Sequence, residues 1–326
     1  MKRHHQFFSY WQNWLALILV LSFTFVAIFS PLLSPDDPKN PGPYKVVGRV
    51  SDRIPQPPTE NAPLGTLPGQ VSVYHMLIWG TRDAMRFGLL VSLFSALIGI
   101  VFGAVAGYAG GMVNRTMMRM ADAFLAVPII AVVALLQQLW LTTISESVGG
   151  IDLLLWFSYR GLSITPRDVL TLPQSIIQSL LLHIDPLTLS LILFSWMPYA
   201  RLVNALVIEL KKTEFILAAR SVGVKPRRIL FRHLLPNAIA PAIVFAARDV
   251  GSFVILQATL TFIGLSGNSL WGLILVNGRD WILGAGGNVM AHWWVFIPAT
   301  VMIILFGITW NLLGDGLSEI LDPHTR

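Results

Sequence analysis

The chain has 326 residues, of which 54% are hydrophobic and only 12% charged, against about 25% charged in soluble domains. That balance excludes a soluble globular protein, because long apolar blocks run without the polar alternation of a half-buried helix or strand. A net charge of +6 without an aromatic-interleaved basic tract reads as membrane-topological rather than nucleic-acid binding, and the absence of Cys excludes disulfides, thiolate metal sites and Cys nucleophiles.

Residues 14–33 form a run of 20 uncharged side chains, about 30 Å of helix at ~1.5 Å per residue. Lys2 and Arg3 precede it, with an aromatic collar of Tyr10, Trp11 and Trp14. A cleaved signal peptide is the competing reading. The small-residue cleavage pattern is absent and Pro31 stands where the site would lie, so an uncleaved anchor is expected.

Residues 34–86 are dense in proline and charge, which predicts an extended or irregular extramembrane segment. Five further apolar blocks follow, at 87–111, 123–144, 186–208, 238–265 and 292–313. With the first they predict an all-α polytopic membrane protein of six transmembrane helices. Ser95, Gly99, Gly103, Gly107 and Gly111 recur every fourth residue, a small-residue ridge against which another helix can come close, within this subunit or in a partner. Met112, Met117, Met118 and Met120 sit beside Arg115 and Arg119 without His or Cys company, so they read as apolar anchoring and not as a metal path. Residues 145–185 are apolar in short, interrupted runs, which fits interfacial helices or a re-entrant hairpin.

Six spans put both termini on one side. With the termini inside, Lys and Arg number 13 inside and 9 outside, and the short basic stretch 201–233 dominates the bias. Both termini are therefore expected in the cytoplasm.

The segment 211–241, KKTEFILAARSVGVKPRRILFRHLLPNAIAP, reads as two short helices at 214–222 and 226–235. Gly223 supplies the turn, Pro226 has the φ of a first helical position, and Pro236 is expected to stop the second helix. Phe215, Ala218, Ala219 and Val222 make one apolar stripe flanked by Arg220 and Ser221, a face suited to a groove.

Ala218-Ala219, Gly223, Ile229 and Leu235-Pro236 resemble the cytoplasmic E-A-A…G…I-L-P loop of permease subunits in bacterial ATP-binding-cassette importers. Further blocks extend the resemblance along nearly the whole chain: Pro63-Leu64-Gly65-Thr66, Ile78-Trp79-Gly80-Thr81-Arg82, Met118-Arg119-Met120-Ala121-Asp122 and Asn311-Leu312-Leu313-Gly314-Asp315-Gly316-Leu317. They are similar to the C-type permease of the dipeptide/oligopeptide branch. The resemblance implies a division into residues 1–33 (cytoplasmic N-terminus and first span), 34–86 (extracytoplasmic loop), 87–314 (permease core with coupling loop 211–236 and insertion 145–185) and 315–326 (cytoplasmic tail). It implies that Glu214, Phe215, Leu217, Ala218, Ala219, Arg220, Val222 and Gly223 engage a separate ATPase. The implied partners are a B-type permease, two ATPase subunits holding ATP and Mg, an extracytoplasmic solute-binding protein and the lipid of a prokaryotic inner membrane. Leu217 stands where the family's loop usually has glutamate, so an ion pair made by that acid is missing or is supplied by Glu214. The 145–185 stretch is longer than the family's usual connection.

No G-x-x-x-x-G-K-S/T phosphate loop, H-E-x-x-H or G-x-S-x-G occurs, and the seven histidines are scattered, so a non-enzymatic subunit with no cofactor or metal of its own is expected. Arg248 and Asp249 lie within the fifth apolar block, where a charge is costly. They either line a translocation pathway or pair with another span. Import of a metal chelate, an oligosaccharide or an opine-like solute is an alternative to peptide import. A stand-alone ion-coupled transporter is the third, opposed by the lack of internal duplication.

Overall fold

The computed structural model describes residues 10–36, 42–49, 52–147, 185–265, 268–284, 287–288 and 290–321. The expected interfacial or re-entrant segment at 145–185 lies almost entirely outside the described residues.

Helix α1 (Trp11–Leu33) carries Pro31 in its last turn, and most of its large apolar side chains are exposed, as on a lipid-facing helix. Extended chain then leads to a hairpin of β1 (Thr66–Leu67) and β2 (Val71–Ser72), with Thr66 opposite Ser72 and Leu67 opposite Val71. The Ser72 hydroxyl accepts the His75 amide at 3.3 Å and so caps helix α2 (Val73–Ala109). Residues 73–86, expected in the irregular segment, are therefore helical: a serine cap starts the helix, and Arg82, Asp83 and Arg86 ride on its first turns.

Helix α3 (Gly111–Leu125) and helix α4 (Ile129–Ser147) follow. The expected span at 123–144 is not one straight helix, because α3 and α4 meet at 78°. Pro128 lies in the break, lacking an amide hydrogen and disfavouring helical geometry at Val127. Helices α5 (Pro186–Phe194) and α6 (Met197–Leu210) form the next span, α5 being capped by Asp185, whose Oδ2 accepts the Thr188 amide at 2.9 Å.

Beyond α6 come α7 (Glu214–Ser221), α8 (Pro226–Ile229), a π-helical turn (Leu230–Leu234) and α9 (Leu235–Phe262). The expected stop at Pro236 does not occur. The Leu235 amide reaches back five residues to the Leu230 carbonyl, and this widened turn lets the chain pass a proline that would otherwise strike the carbonyl four residues earlier. Pro226–Phe262 is consequently one helix of 37 residues.

Helix α10 (Leu270–Leu283), absent from the sequence reading, precedes a 3-10 turn (Trp293–Val295) and α11 (Ile297–Leu321). Its 14 residues give about 21 Å, too short to span. Helix α11 runs past position 314, so most of the expected tail is helical. Among the described residues five helices are long and apolar enough to cross a membrane, or six if the bent α3–α4 pair is one span, which makes this an all-α polytopic membrane protein.

Helix α2 is central, packing on α1, α6 and α9, while α11 closes against α1 and α9. The small-residue ridge explains the tightest of these contacts. A Cβ at Gly103 would fall on the Ala200 carbonyl of α6, and one at Gly107 would lie 3.0 Å from the Asn204 carbonyl. From Gly99 to Gly107 the ridge is thus spent within this chain, bringing two helix backbones together, whereas Gly111 lies beyond α2 and opens α3 with open space around it. At the hairpin end, Phe23, Trp271 and Phe306 pack in T-shaped or tilted contacts, Phe23 to Phe306 being 5.2 Å and Trp271 to Phe306 5.6 Å between centroids. The Trp271 indole N–H donates to the Leu77 carbonyl at 3.2 Å, so its polar atom is not stranded by burial.

Candidate functional site

Helix α7 leaves the bundle at a fixed point. Lys211, the first residue beyond α6, donates from Nζ to the carbonyls of Gly107 and Tyr108 at 3.1 and 2.8 Å and lies 5.6 Å from the Tyr108 ring centre. It caps the C-terminal end of α2, where unpaired carbonyls gather partial negative charge. Burial there, and then the charge of Arg220, hold its ammonium below the usual lysine range. Glu214 in the first turn of α7 and Arg220 in the last both complement the helix dipole.

Gly223 ends α7 as its spacing predicts. It has φ +76°, its amide donates to the Arg220 carbonyl at 3.0 Å, and the Val224 amide donates to the Ala219 carbonyl at 3.1 Å. These two bonds make a Schellman cap, which a β-branched residue enters only with strain.

One side chain anchors the helix. Ile216 is 0% exposed and packs with Ile229, Leu230, Leu234, Val203 and Val207. Phe215, Leu217 and Val222 are 49, 50 and 79% exposed, with Ala218 exposed between them. Phe215, Ala218 and Val222 therefore form an unpartnered apolar face, while Ala219 turns half inward. Lys225, Arg227, Arg228 and Arg232 are exposed alongside. The apolar face is thus rimmed by cations on a helix held by one isoleucine, a composition suited to a groove.

Ile216 and Lys211 were missed by sequence reasoning. Ile216 stands between two other large apolar residues, so its inward aim is visible only once its partners on α6, α8 and the π turn are placed. Lys211 does carry a signal: a lysine immediately after a span, able to reach the end of a neighbouring helix.

The charges in α9 both have partners. The Arg248 guanidinium donates to the Asp315 carboxylate of α11, and its stem lies against Gly314. Asp249 accepts from the Tyr199 hydroxyl of α6 at 2.7 Å. Of the two readings open in the sequence, pathway-lining charge or pair with another span, the structure supplies the pair. It also leaves the Arg248 and Asp315 side chains 42 and 62% exposed, so the pair lies on a face of the chain that lipid suits poorly. Among the described residues no three His, Cys, Asp or Glu side chains gather as metal ligands would.

Residues 99–326 match the family model described as binding-protein-dependent transport system inner membrane component. The chain is 29% identical over 317 residues to the dipeptide transport system permease protein DppC of Bacillus subtilis, covering 96% of this chain and 82% of that protein. It is 26% identical over 314 residues to the oligopeptide transport system permease protein OppC of the same species, covering 95 and 85%. Identity to the OppC protein of Mycobacterium tuberculosis is 28% over 312 residues, covering 94 and 88%.

Proposed function

The chain belongs to the family of binding-protein-dependent transport system inner membrane components, and on that premise we propose that it is a permease subunit forming half of the translocation pathway of an ATP-driven peptide importer. The observation that carries the mechanism is the exposed Phe215, Ala218 and Val222 face of α7 on a helix fixed by Ile216 and closed by Gly223. That face docks in a groove of a separate ATPase subunit, with Glu214 as the acid nearest to the groove in place of the one Leu217 lacks, and Ala218 and Ala219 permitting close approach. ATP and Mg belong to that subunit, since this chain has no phosphate-binding loop. Two such ATPases serve this chain and a B-type partner permease. The exposed Arg248–Asp315 pair faces the pathway shared with that partner. Both termini and α7 lie in the cytoplasm, and the hairpin end lies outside.

The test is ATP-dependent peptide uptake by proteoliposomes holding this chain, its partner permease, the ATPases and the binding protein. Uptake that persists without the ATPases, or a functional complex containing two copies of this chain and no second permease, contradicts the proposal. Topology is checked separately in this Cys-free chain. An impermeant maleimide should label a cysteine introduced at Arg53 from outside and should not reach one at Lys225. Labelling at Lys225 from outside inverts the arrangement.

A further inference from the structure

Helix α2 starts beside the β1–β2 hairpin and ends against Lys211, so the hairpin and α7 stand at opposite ends of the bundle. At the α7 end a single residue, Gly110, separates α2 from α3. Gly110 has φ +68° and ψ −167°, and Gly111 after it has φ +54°. Successive positive φ values come cheaply only to glycine, and residues at the end of an element are where a chain absorbs rotation. There is also room to turn. A Cβ on Gly111 would meet nothing within 4 Å, and one on Gly110 would approach only Lys211 Nζ, at 3.5 Å.

The helices that meet here are held unequally. Helices α2 and α6 touch backbone to backbone: a Cβ at Gly99 would fall on the Trp196 carbonyl and one at Gly103 on the Ala200 carbonyl. Such a contact moves as one body. Helix α3, by contrast, has one buried side chain, Ala121, in 15 residues. Its other ties to α6 are polar: the Asn204 side-chain amide donates to Asn114 Oδ1 at 2.6 Å, and Arg201 meets Asp122 at 3.3 Å with both side chains at least half exposed. Contacts of that kind exchange with water at little cost. The α2–α6 pair is therefore the fixed part of the joint, and α3 the part able to turn.

Lys211 lies across this joint. Its Nζ holds the carbonyls of Gly107 and Tyr108, three and two residues before Gly110. Only Lys212 and Thr213 separate it from α7. That link has no slack, because the Lys212 amide donates to the Glu209 carbonyl at 3.0 Å and the Thr213 hydroxyl to the Leu210 carbonyl at 2.6 Å. A displacement of α7 is thus felt at Nζ. Bonds of 2.8 and 3.1 Å are lost over a further ~1 Å, and the attraction of a cation to a helix end fades within one turn.

We propose that Gly110–Gly111 is a hinge between α2 and α3 and that Lys211 is its latch, closed with α7 in the position described and released when α7 is drawn away. Lys211 is then a positioning residue for transport, acting through the angle of α3. The assignment rests on the reading of α7 as the ATPase-engaging helix, and it names the joint at which movement of α7 enters the membrane helices.

The experiment uses the complete transporter in nanodiscs, with partner cysteines replaced, and measures distances between spin labels on cysteines introduced in this chain. Leu97→Cys with Ala123→Cys spans α2 and α3, and Leu97→Cys with Ala205→Cys spans α2 and α6; all three positions are exposed. Between the nucleotide-free and ATP-trapped states the first distance should change and the second should not. Lys211→Met keeps the stem without the donors. It should make the first distance the same in both states and lower uptake per ATP hydrolysed about tenfold, as loss of a charge-assisted hydrogen bond implies. Lys211→Arg, which keeps donors, should recover most of both. Gly111→Ala enters open space but opposes φ +54°, so the chain should fold while the first distance changes less. A first distance equal in the two states of the otherwise wild-type chain would overturn the hinge, with no substitution at the joint needed. A Lys211→Met chain with the wild-type distance change and wild-type uptake per ATP would overturn the latch. The underlying reading is scored apart from the distances: if Phe215→Cys forms no cross-link to the ATPase in either state, the coupling role of α7 falls, and the latch with it.

Discussion

The two ends of α2 are stabilised in different ways. At the hairpin end, several polar contacts share the load: Ser34 Oγ and His75 Nδ1 are 2.7 Å apart, the Trp79 indole donates to the Ser34 carbonyl at 3.0 Å, and the Gln70 side-chain amide donates to the Ile54 carbonyl at 3.0 Å. Behind them Phe23, Trp271 and Phe306 make an aromatic core. At the other end, α7 is tied by one buried isoleucine, one lysine and one glycine cap. The first arrangement loses little when any one contact fails. The second concentrates its stability in three residues, so that the loss of any one can release α7 while the rest of the bundle stays folded.

The largest effect should come from the support that both ends share. Gly103→Leu forces a side chain onto the Ala200 backbone of α6, with a cost of about 3 kcal/mol or more. Loss of the folded monomer in detergent, seen by size exclusion and thermal melting, is the expected result. A melting temperature equal to wild type would show that α2 and α6 are not packed as described.

Ile216→Ala separates the two ends. Emptying that site should cost about 2–4 kcal/mol, confined to α7. Hydrogen exchange should rise across residues 213–224 while the hairpin end keeps its protection, and coupling of ATP hydrolysis to uptake should fall sharply. Phe215→Ala, on the exposed face of the same helix, should leave exchange unchanged and weaken only ATPase binding. If both variants raise exchange equally, the division between anchoring and docking faces is wrong.

Gly223→Val tests the cap alone. A non-glycine residue at φ +76° costs about 1–2 kcal/mol, enough to shift the end of α7 without unfolding the chain. Basal ATPase activity should persist while substrate-stimulated activity and uptake decline; normal values of both would refute the role of the turn.

Smallest in stability should be Arg248→Met. The Arg248–Asp315 pair is half exposed, so its net contribution to folding is within about 1 kcal/mol. Melting should barely move while uptake drops, as the proposed placement of the pair along the pathway requires. Unchanged uptake with raised stability would make the charge a tolerated burden, and failure of the complex to assemble would assign the pair to scaffolding.

Much of the helical layout can be read from the sequence because lipid leaves few options: an apolar run of about 20 residues has to satisfy its backbone internally. The Gly223 turn is legible for a similar reason, since positive φ selects glycine. Helix α10 is not, because Asn277, Gly278, Arg279 and Asp280 interrupt a run already too short for a hydropathy signal. Pro236 misleads because the π turn ahead of it lets the helix run on, and that turn has no sequence signal of its own. The partner of Arg248 was out of reach: Asp315 lies 67 residues away, in a block that could be recognised but whose spatial neighbour could not be named. On α7, the exposed face is legible from its stripe, while Ile216 and Lys211 depend on where α6 and α2 end.

The π turn ahead of Pro236 also has a mechanical meaning. Because Pro226–Phe262 is unbroken, it is a rod of about 55 Å, with one tip among the basic residues beside α7 and the other next to α10. A tilt of only about 5° about the near tip carries the far tip sideways by about 5 Å, comparable to the helix radius with side chains. Small rotations imposed at one membrane face can thus become opening-sized displacements at the other, with no relay of side-chain rearrangements between them. Spin labels at both tips should report the same angular change through a transport cycle; motion confined to the near tip would locate a hinge at the π turn.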